Sequence, residues 1–514
     1  MTLVEDADTA GRHYAATTTK GHKKALGQYL TGPDIAAFMA AGAAKGLKGT
    51  DTVRVLDPAA GGGILAVAAC EALAALPHPP RVIEVVAYEI DPPLAWILRD
   101  LLERTAHALA PRINVVATVI EKDFVLANAE VLTRDLYASP TQLFDLVISN
   151  PPYFKLAKSS PQARACESLV YGQPNIYQFF MGICACLIRP GGQFCFITPR
   201  SWAAGPYFEL FRKRFFAQIR PETVHVFASR RGSFKRDEIL QEVEITWGVR
   251  DDGWLSAAPA ARMTMSTSEG SHDLATSEVR TIPLIDLLDS ADRHLVLRLP
   301  ASEAHDRIID LVHSWPSSLA RYGFKISTGP VVSFRANEYL ATEPEDDTVP
   351  LLWLQNVRAM VSTWPIGMKK AEYVRKSDQS AYILVPNKAY ILIRRFSAKE
   401  EARRLVAAPY EPITGFESVG LENHLNYVYR PNGVLTVDEV WGLSALLNSE
   451  TLDAYFRCVN GNTQVSATEL RAMPMPPVEM LLEIGRRARG ITDLPTIDDI
   501  VASVLYRERE TAVA

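Results

Sequence analysis

The stretch VRVLDPAAGGGI, Val53 to Ile64, passes from a short apolar strand through a proline and three successive glycines into the apolar run ILAVAACEALAAL. The first part, Val53–Asp57, reads as a buried strand, and the run after the glycines is long enough for a helix. Working outward, the alternation repeats. RVIEVVAYEID (Arg81 to Asp91) reads as a second strand and LAWILRDLLERTAHAL as a second helix. INVVATVIEKDF and LFDLVISN give two more strands, IYQFFMGICACLI a further helix, and GGQFCFITP a fifth strand. EVEITWGV suits a late or edge strand. Strands separated by helices of this length imply an α/β fold: a doubly wound, mostly parallel sheet with helices on both faces.

A chain of 514 residues exceeds one compact core, so two or three domains are expected. Residues 1–22 are polar and read as a flexible N-terminus, and 23–250 hold the α/β pattern. From 251 to 282 periodicity fades into Ala, Ser, Thr and Gly, the texture of a linker. Residues 283–514 read as a separate α+β domain of short β-rich pieces and C-terminal helices.

With 48% hydrophobic and 22% charged residues the composition is that of a soluble globular protein. No apolar run is long enough to span a bilayer and the N-terminus lacks a signal-peptide pattern, so a cytoplasmic location without membrane contact is expected. The six cysteines show no paired spacing, which disfavours a disulfide framework or a metal site. A net charge of −5 gives no overall attraction to nucleic acid, so any such contact must come from local basic clusters.

In a doubly wound sheet, ligands lie beyond the carboxyl ends of the strands. After the first strand, Asp57, Pro58 and Ala59 lead into glycines that let backbone approach a ligand closely, Gly61 and Gly63 among them. The loop has neither GxGxxG nor GK[ST], against a dinucleotide or a triphosphate. Glu89 and Ile90 lie at the end of the second strand, where a carboxylate can accept bonds from ribose hydroxyls. Asp123 and Phe124 follow the third, a carboxylate beside an aromatic that could hold an adenine. A ribose and an adenine without a phosphate grip suggest S-adenosyl-L-methionine.

The fourth strand empties into Asn150-Pro151-Pro152-Tyr153. DPAAGGG, YEID, KDF and SNPPYF, in this order, resemble the amino-methyltransferase group of S-adenosylmethionine-dependent enzymes. The upstream segment ALGQYLTGPDIAAFMA (Ala25 to Ala40) resembles that of type II restriction-modification N6-adenine DNA methyltransferases in the gamma arrangement. The resemblance implies a Rossmann-like, seven-stranded methyltransferase sheet followed by a target-recognition domain. It also implies that Gln28, Tyr29 and Thr31 help hold the methionine end of the cofactor. Asn150 and the Pro151 carbonyl would accept both N–H groups of a flipped-out adenine, with Pro152 stiffening the loop and Tyr153 stacking on the base. Phe234, in the basic loop RRGSFKRDE, matches the second stacking aromatic, and Asn175 falls where the family carries a polar residue.

The implied partner is double-stranded DNA, read by a monomer in a bacterial or archaeal cell. Few residues precede the upstream segment, so cleavage would belong to a separately encoded restriction endonuclease. Arg230, Arg231, Lys235, Arg335, Arg394, Arg395 and Asn426 are candidates for DNA contact, with Gln355, Asn356 and His424 as further polar candidates. Two other readings stay open: an RNA or release-factor glutamine methyltransferase with the same NPPY chemistry, and a DNA-binding subunit whose cofactor fold does not turn over.

Overall fold

The computed structural model describes residues 2–19, 21–22, 31–47, 49–133, 143–227, 243–256, 261–288, 294–300, 302–397, 401–459 and 464–506. The chain divides into two compact units, Met1–Ala301 and Ser302–Ala514.

In the first unit, helix α1 (Leu3–Thr17) occupies most of the segment expected to be flexible. The cause is local and tertiary. Thr2 accepts the Glu5 amide while the Glu5 carboxylate accepts the Thr2 amide, a reciprocal cap. Val4, Ala7, Gly11 and Tyr14, all on one face, are buried. Helix α2 (Pro33–Ala44) begins with proline at its first position and buries Ile35, Ala36, Met39 and Ala40. Strand β1 (Thr52–Asp57) leads to helix α3 (Ile64–Ala74), which is apolar almost all round and buried. Strand β2 (Val82–Tyr88), helix α4 (Pro92–Leu109) and strand β3 (Asn114–Ile120) follow, then the short helix α5 (Phe124–Asn128). Strand β4 (Phe144–Ser149) is buried along its whole length. Helix α6 (Ile176–Leu187) runs into strand β5 (Ile188–Pro199). Strands β6 (Ile219–Phe227), β7 (Val243–Arg250), β8 (Arg262–Ser268) and β9 (Glu278–Pro283) complete the sheet.

The strand order is β3-β2-β1-β4-β5-β7-β6-β8-β9. The first five strands are mutually parallel and β7 runs antiparallel between β5 and β6. Nine strands are thus described where seven were expected. The additional two come from the stretch read as a linker: β8 pairs parallel with β6, and β9 antiparallel with β8. That stretch looks polar for a physical reason. Met263 and Met265 supply the buried apolar face, while the buried Ser266 and Ser268 hydroxyls lie 2.8 and 3.0 Å from the ring nitrogens of His225. Burial pushes that imidazole down to about 4.

The second unit carries a four-stranded antiparallel sheet, in the order Lys325–Thr328, Leu425–Tyr429, Tyr390–Arg394, Ala407–Tyr410. A five-stranded sheet is ordered Leu340–Ala341, Tyr373–Arg375, Thr348–Leu352, Ser418–Leu421, Leu384–Pro386. Helices Val437–Asn448 and Val478–Ala488 cross at glycines: a Cβ on Gly442 would sit 2.2 Å from the Leu481 carbonyl oxygen, and one on Gly485 1.9 Å from that of Asp438. The compact division at Ser302 replaces the boundary expected at 283, because 251–282 belongs to the first sheet.

Candidate active site at the strand tips

The winding reverses between β1 and β4, which are neighbours, so the crevice beyond their carboxyl ends is where a ligand belongs. Asp57 ends β1 and Asn150 follows β4 directly. The loop after β1 is tied across to β2: the Ala60 amide donates to the Tyr88 carbonyl at 2.9 Å and the Gly61 amide to Glu89 Oε2 at 2.8 Å. Gly61 and Gly63 take φ of +54° and +93°, left-handed values that side chains rarely adopt. The space in front of Gly61, where a Cβ would stand, is open.

Asp57 is fully buried, and burial pushes its carboxyl up to about 8. Its Oδ1 accepts the Ala59 amide at 3.3 Å, while Oδ2 has no partner. One strand away, the buried Ser149 hydroxyl also lacks a partner. Two orphaned buried polar groups at a switch point fit a ligand that brings hydrogen-bond donors, a cationic amine above all. Glu89 accepts the Gly61 and Asp91 amides, one on each carboxylate oxygen, and burial raises its carboxyl. Each oxygen keeps a second lone pair for a hydroxyl. Beside it Ile90 is 51% exposed, an apolar surface that a heterocycle would cover.

Asp123 carries two local bonds. Its Oδ1 caps α5 by accepting the Leu126 amide at 2.9 Å, and its Oδ2 accepts from Gln162 Nε2 at 2.8 Å. Phe124 is buried, stacked on Phe180 and edge-on to Tyr88. Its ring therefore belongs to the core, and the expected face contact with adenine is corrected.

The tetrapeptide is closely tethered. Asn150 Nδ2 donates to Thr31 Oγ1 at 3.0 Å, bringing together two residues 119 positions apart. The Tyr153 hydroxyl reaches Asn150 Oδ1 at 2.5 Å and the Ile197 carbonyl at 2.8 Å. In this arrangement the amide nitrogen faces Thr31 and the amide oxygen faces Tyr153. Tyr153 is only 5% exposed, with Tyr177 edge-on to it, so its ring offers little face to a stacked base as it stands. Its hydroxyl's grip on the amide was not foreseen, since no sequence pattern reports it. Pro151 is buried and Pro152 half-buried. Asn175 precedes α6 and pairs through its backbone with Lys155, two residues past Tyr153. Gln28, Tyr29, Arg230, Arg231, Phe234 and Lys235 lie outside the described residues.

In the second unit the candidates separate by burial. Asn426 is fully buried, donating to the Val465 carbonyl at 2.9 Å and accepting from the Thr328 hydroxyl at 3.0 Å. Asn356 is likewise buried, between Trp353 and Thr363. Arg394 donates to the Val357 carbonyl and faces Glu401. The two buried asparagines hold the unit together, correcting their assignment to DNA, whereas Arg394 is half-buried. Arg395 is half-buried and donates to the Asn423 carbonyl. Arg335, Gln355 and His424 are exposed, Arg335 lying over the exposed ring of Phe334.

Among the described residues no group of three or more His, Cys, Asp or Glu side chains is placed to hold a metal, and no helix is long and apolar enough to cross a membrane.

Residues 7–164 match the family described as N-6 DNA Methylase, and residues 110–234 the Eco57I restriction-modification methylase family. The type II methyltransferase M.PstI of Providencia stuartii is 32% identical over 87% of this chain and 87% of its own. M.BsuBI of Bacillus subtilis, also a type II methyltransferase, is 30% identical over 90% of each. A solved DrdV–DNA complex aligns with a TM-score of 0.51 at 14% identity, covering 95% of this chain and 60% of that one, a likeness of fold. On these relationships, with an NPPY tetrapeptide seated at the switch point of the sheet, the chain belongs to the type II methyltransferase family of restriction-modification systems.

Proposed function

We propose that the protein methylates the N6 amine of adenine at a specific site in duplex DNA, with S-adenosyl-L-methionine as methyl donor. One observation carries this reading: the Asn150 amide, bonded to Thr31 and Tyr153, stands at the tip of β4, one strand from Asp57 of β1, whose buried Oδ2 lacks a hydrogen-bond partner. Asp57 would take the cofactor's amine, Glu89 its ribose hydroxyls, Ile90 a face of its adenine, and Gly61 would leave room for its backbone-proximal part. The bound cofactor supplies an electrophilic methyl group on a sulfonium.

The exocyclic amine of adenine is a weak nucleophile because its lone pair is delocalised into the ring. Asn150 Oδ1 and the Pro151 carbonyl accept its two N–H bonds and draw the nitrogen towards tetrahedral geometry. The amine's proton leaves after methyl transfer, so orientation rather than a strong base is what the chain provides. An adenine inside a duplex cannot reach these acceptors and has to be flipped out. Phe234 is the proposed stacking partner, and Tyr153 joins it if its ring is uncovered on DNA binding. Gln28 and Tyr29 are assigned with Thr31 to the methionine end, and Asp123 to the adenine. Arg230, Arg231 and Lys235 would meet phosphates. The second unit would read the target through surface residues such as Arg335, Arg395, Gln355 and His424, the protein acting as a monomer alongside a separately encoded endonuclease.

The test is transfer of tritiated methyl from S-adenosylmethionine to duplex DNA, RNA or release factor, with digestion of the labelled product to nucleosides. N6-methyl-2′-deoxyadenosine from duplex DNA alone supports the proposal. Label in RNA, in protein, or on cytosine would overturn it.

A further inference from the structure

Helix α1 lies outside the strand-tip motifs, yet it meets the cofactor loop directly. A Cβ built on Gly62 would find the Gly11 Cα 3.7 Å away, in ordinary van der Waals contact, so the helix faces the loop's central glycine with room for about one methyl group between them. At its C-terminal end the Tyr14 hydroxyl donates to Asp91 Oδ2 at 2.5 Å, and His22 Nε2 lies 2.9 Å from the same oxygen. Tyr14 and Asp91 are both buried. The other end is anchored separately: the Leu3 amide donates to Glu71 Oε1 of α3 at 2.9 Å, and Asp6 pairs with Arg104 of α4.

Asp91 is not an isolated anchor. Its own amide donates to Glu89 Oε1 at 2.7 Å, and Glu89 Oε2 receives the Gly61 amide at 2.8 Å. A continuous chain of bonds thus runs from Tyr14 through Asp91 and Glu89 to the glycine loop. Each link fixes the next: the Asp91 carboxylate holds the turn after β2, the turn's amide aims Glu89, and Glu89 pins Gly61. We propose that α1 is a wall of the cofactor site, and that Tyr14 and Asp91 are positioning residues that orient Glu89 towards the cofactor's ribose. The proposal rests on the reading of this crevice as the S-adenosylmethionine site.

The experiment measures S-adenosylmethionine affinity by calorimetry and steady-state kinetics with full-length protein, comparing Tyr14→Phe with Arg104→Gln. Tyr14→Phe keeps the ring and its packing and removes one bond to a carboxylate, so cofactor Kd and KM should rise about tenfold while kcat at saturation changes less than about twofold. Arg104→Gln loosens the far end of the same helix and should leave cofactor affinity within about twofold, whatever it does to Tm. Asp91→Asn, which can still accept from Tyr14 through its carbonyl, should fall between wild type and Tyr14→Phe. The proposal is overturned by unchanged affinity in Tyr14→Phe, by an equal loss in Arg104→Gln, or by a loss confined to kcat. If the wild-type protein itself fails to bind S-adenosylmethionine, the reading of the crevice fails instead.

Discussion

At the scale of single residues, the amide of Asn150 carries the most consequence. Its oxygen can serve as an acceptor for a substrate amine only in one of two amide orientations, the one in which the nitrogen faces Thr31 and the oxygen faces Tyr153. Asn150→Ala should therefore lower turnover on DNA by about 10²–10³-fold, the usual loss when one preorganised polar contact to the reacting group is removed. Cofactor Kd should stay within about threefold, and single-turnover methylation with parallel calorimetry checks both. Tyr153→Phe keeps the ring while releasing the amide and should reduce kcat about fivefold, the worth of one hydrogen bond. Full activity in that variant would remove the hydroxyl from the catalytic arrangement. These contacts were partly legible. The NPPY string and the glycine loop announce themselves in sequence. The pairing of Thr31 with Asn150 joins distant segments, and the burial of Phe124 and Asn426 depends on neighbours that only folding supplies.

At the scale of elements, the strand β1 that leads into the glycine loop ends in a buried acid whose titration the proposed cofactor would change. Asp57 holds its proton up to about 8, against 3.8 for an ordinary aspartate. The folded chain thus binds that proton more tightly than the unfolded chain. The sign follows: Asp57's contribution to stability is full below about pH 4 and declines as pH rises towards 8. Without cofactor, Tm should fall between pH 5 and 8, and Asp57→Asn should flatten part of that fall. S-adenosylmethionine, whose amine would neutralise the carboxylate, should oppose it in wild type and release a proton on binding near pH 7. Calorimetry in buffers of different ionisation enthalpy detects that release, and its absence would take the amine away from Asp57.

Strands β1, β4 and β5 were readable because their buried runs are apolar, and β2 because buried positions alternate along it. Strand β8 was not, because serines that bond a buried histidine look like linker residues. Helix α1 has a narrow apolar face, but the spacing of Thr2 and Glu5 was a legible capping signal.

For the molecule as a whole, two units divide the labour proposed here, and burial predicts which substitutions alter stability and which alter specificity. Asn426→Ala strips a fully buried side chain of its bonds to Val465 and Thr328. It should cost about 1–3 kcal/mol of stability, read as a lower midpoint in denaturant, without changing which DNA sequence is methylated. A change of target sequence would return Asn426 to the reading surface. Arg335→Ala, at an exposed site, should do the converse: little change in the midpoint, with weaker DNA binding or relaxed choice of target.

The order of the strands has a last consequence. Glu89 follows β2 and Asn150 follows β4, with β1 between them. Neighbouring strands are held about 4.8 Å apart by their backbone hydrogen bonds, so the tips that carry Glu89 and Asn150 stand about 10 Å apart by construction. Mutation can exchange the chemical groups mounted on this ruler but cannot alter its gradations. On the proposed function, the reach from the cofactor's sugar to the methyl acceptor is therefore set by strand spacing and is independent of the target sequence that is read.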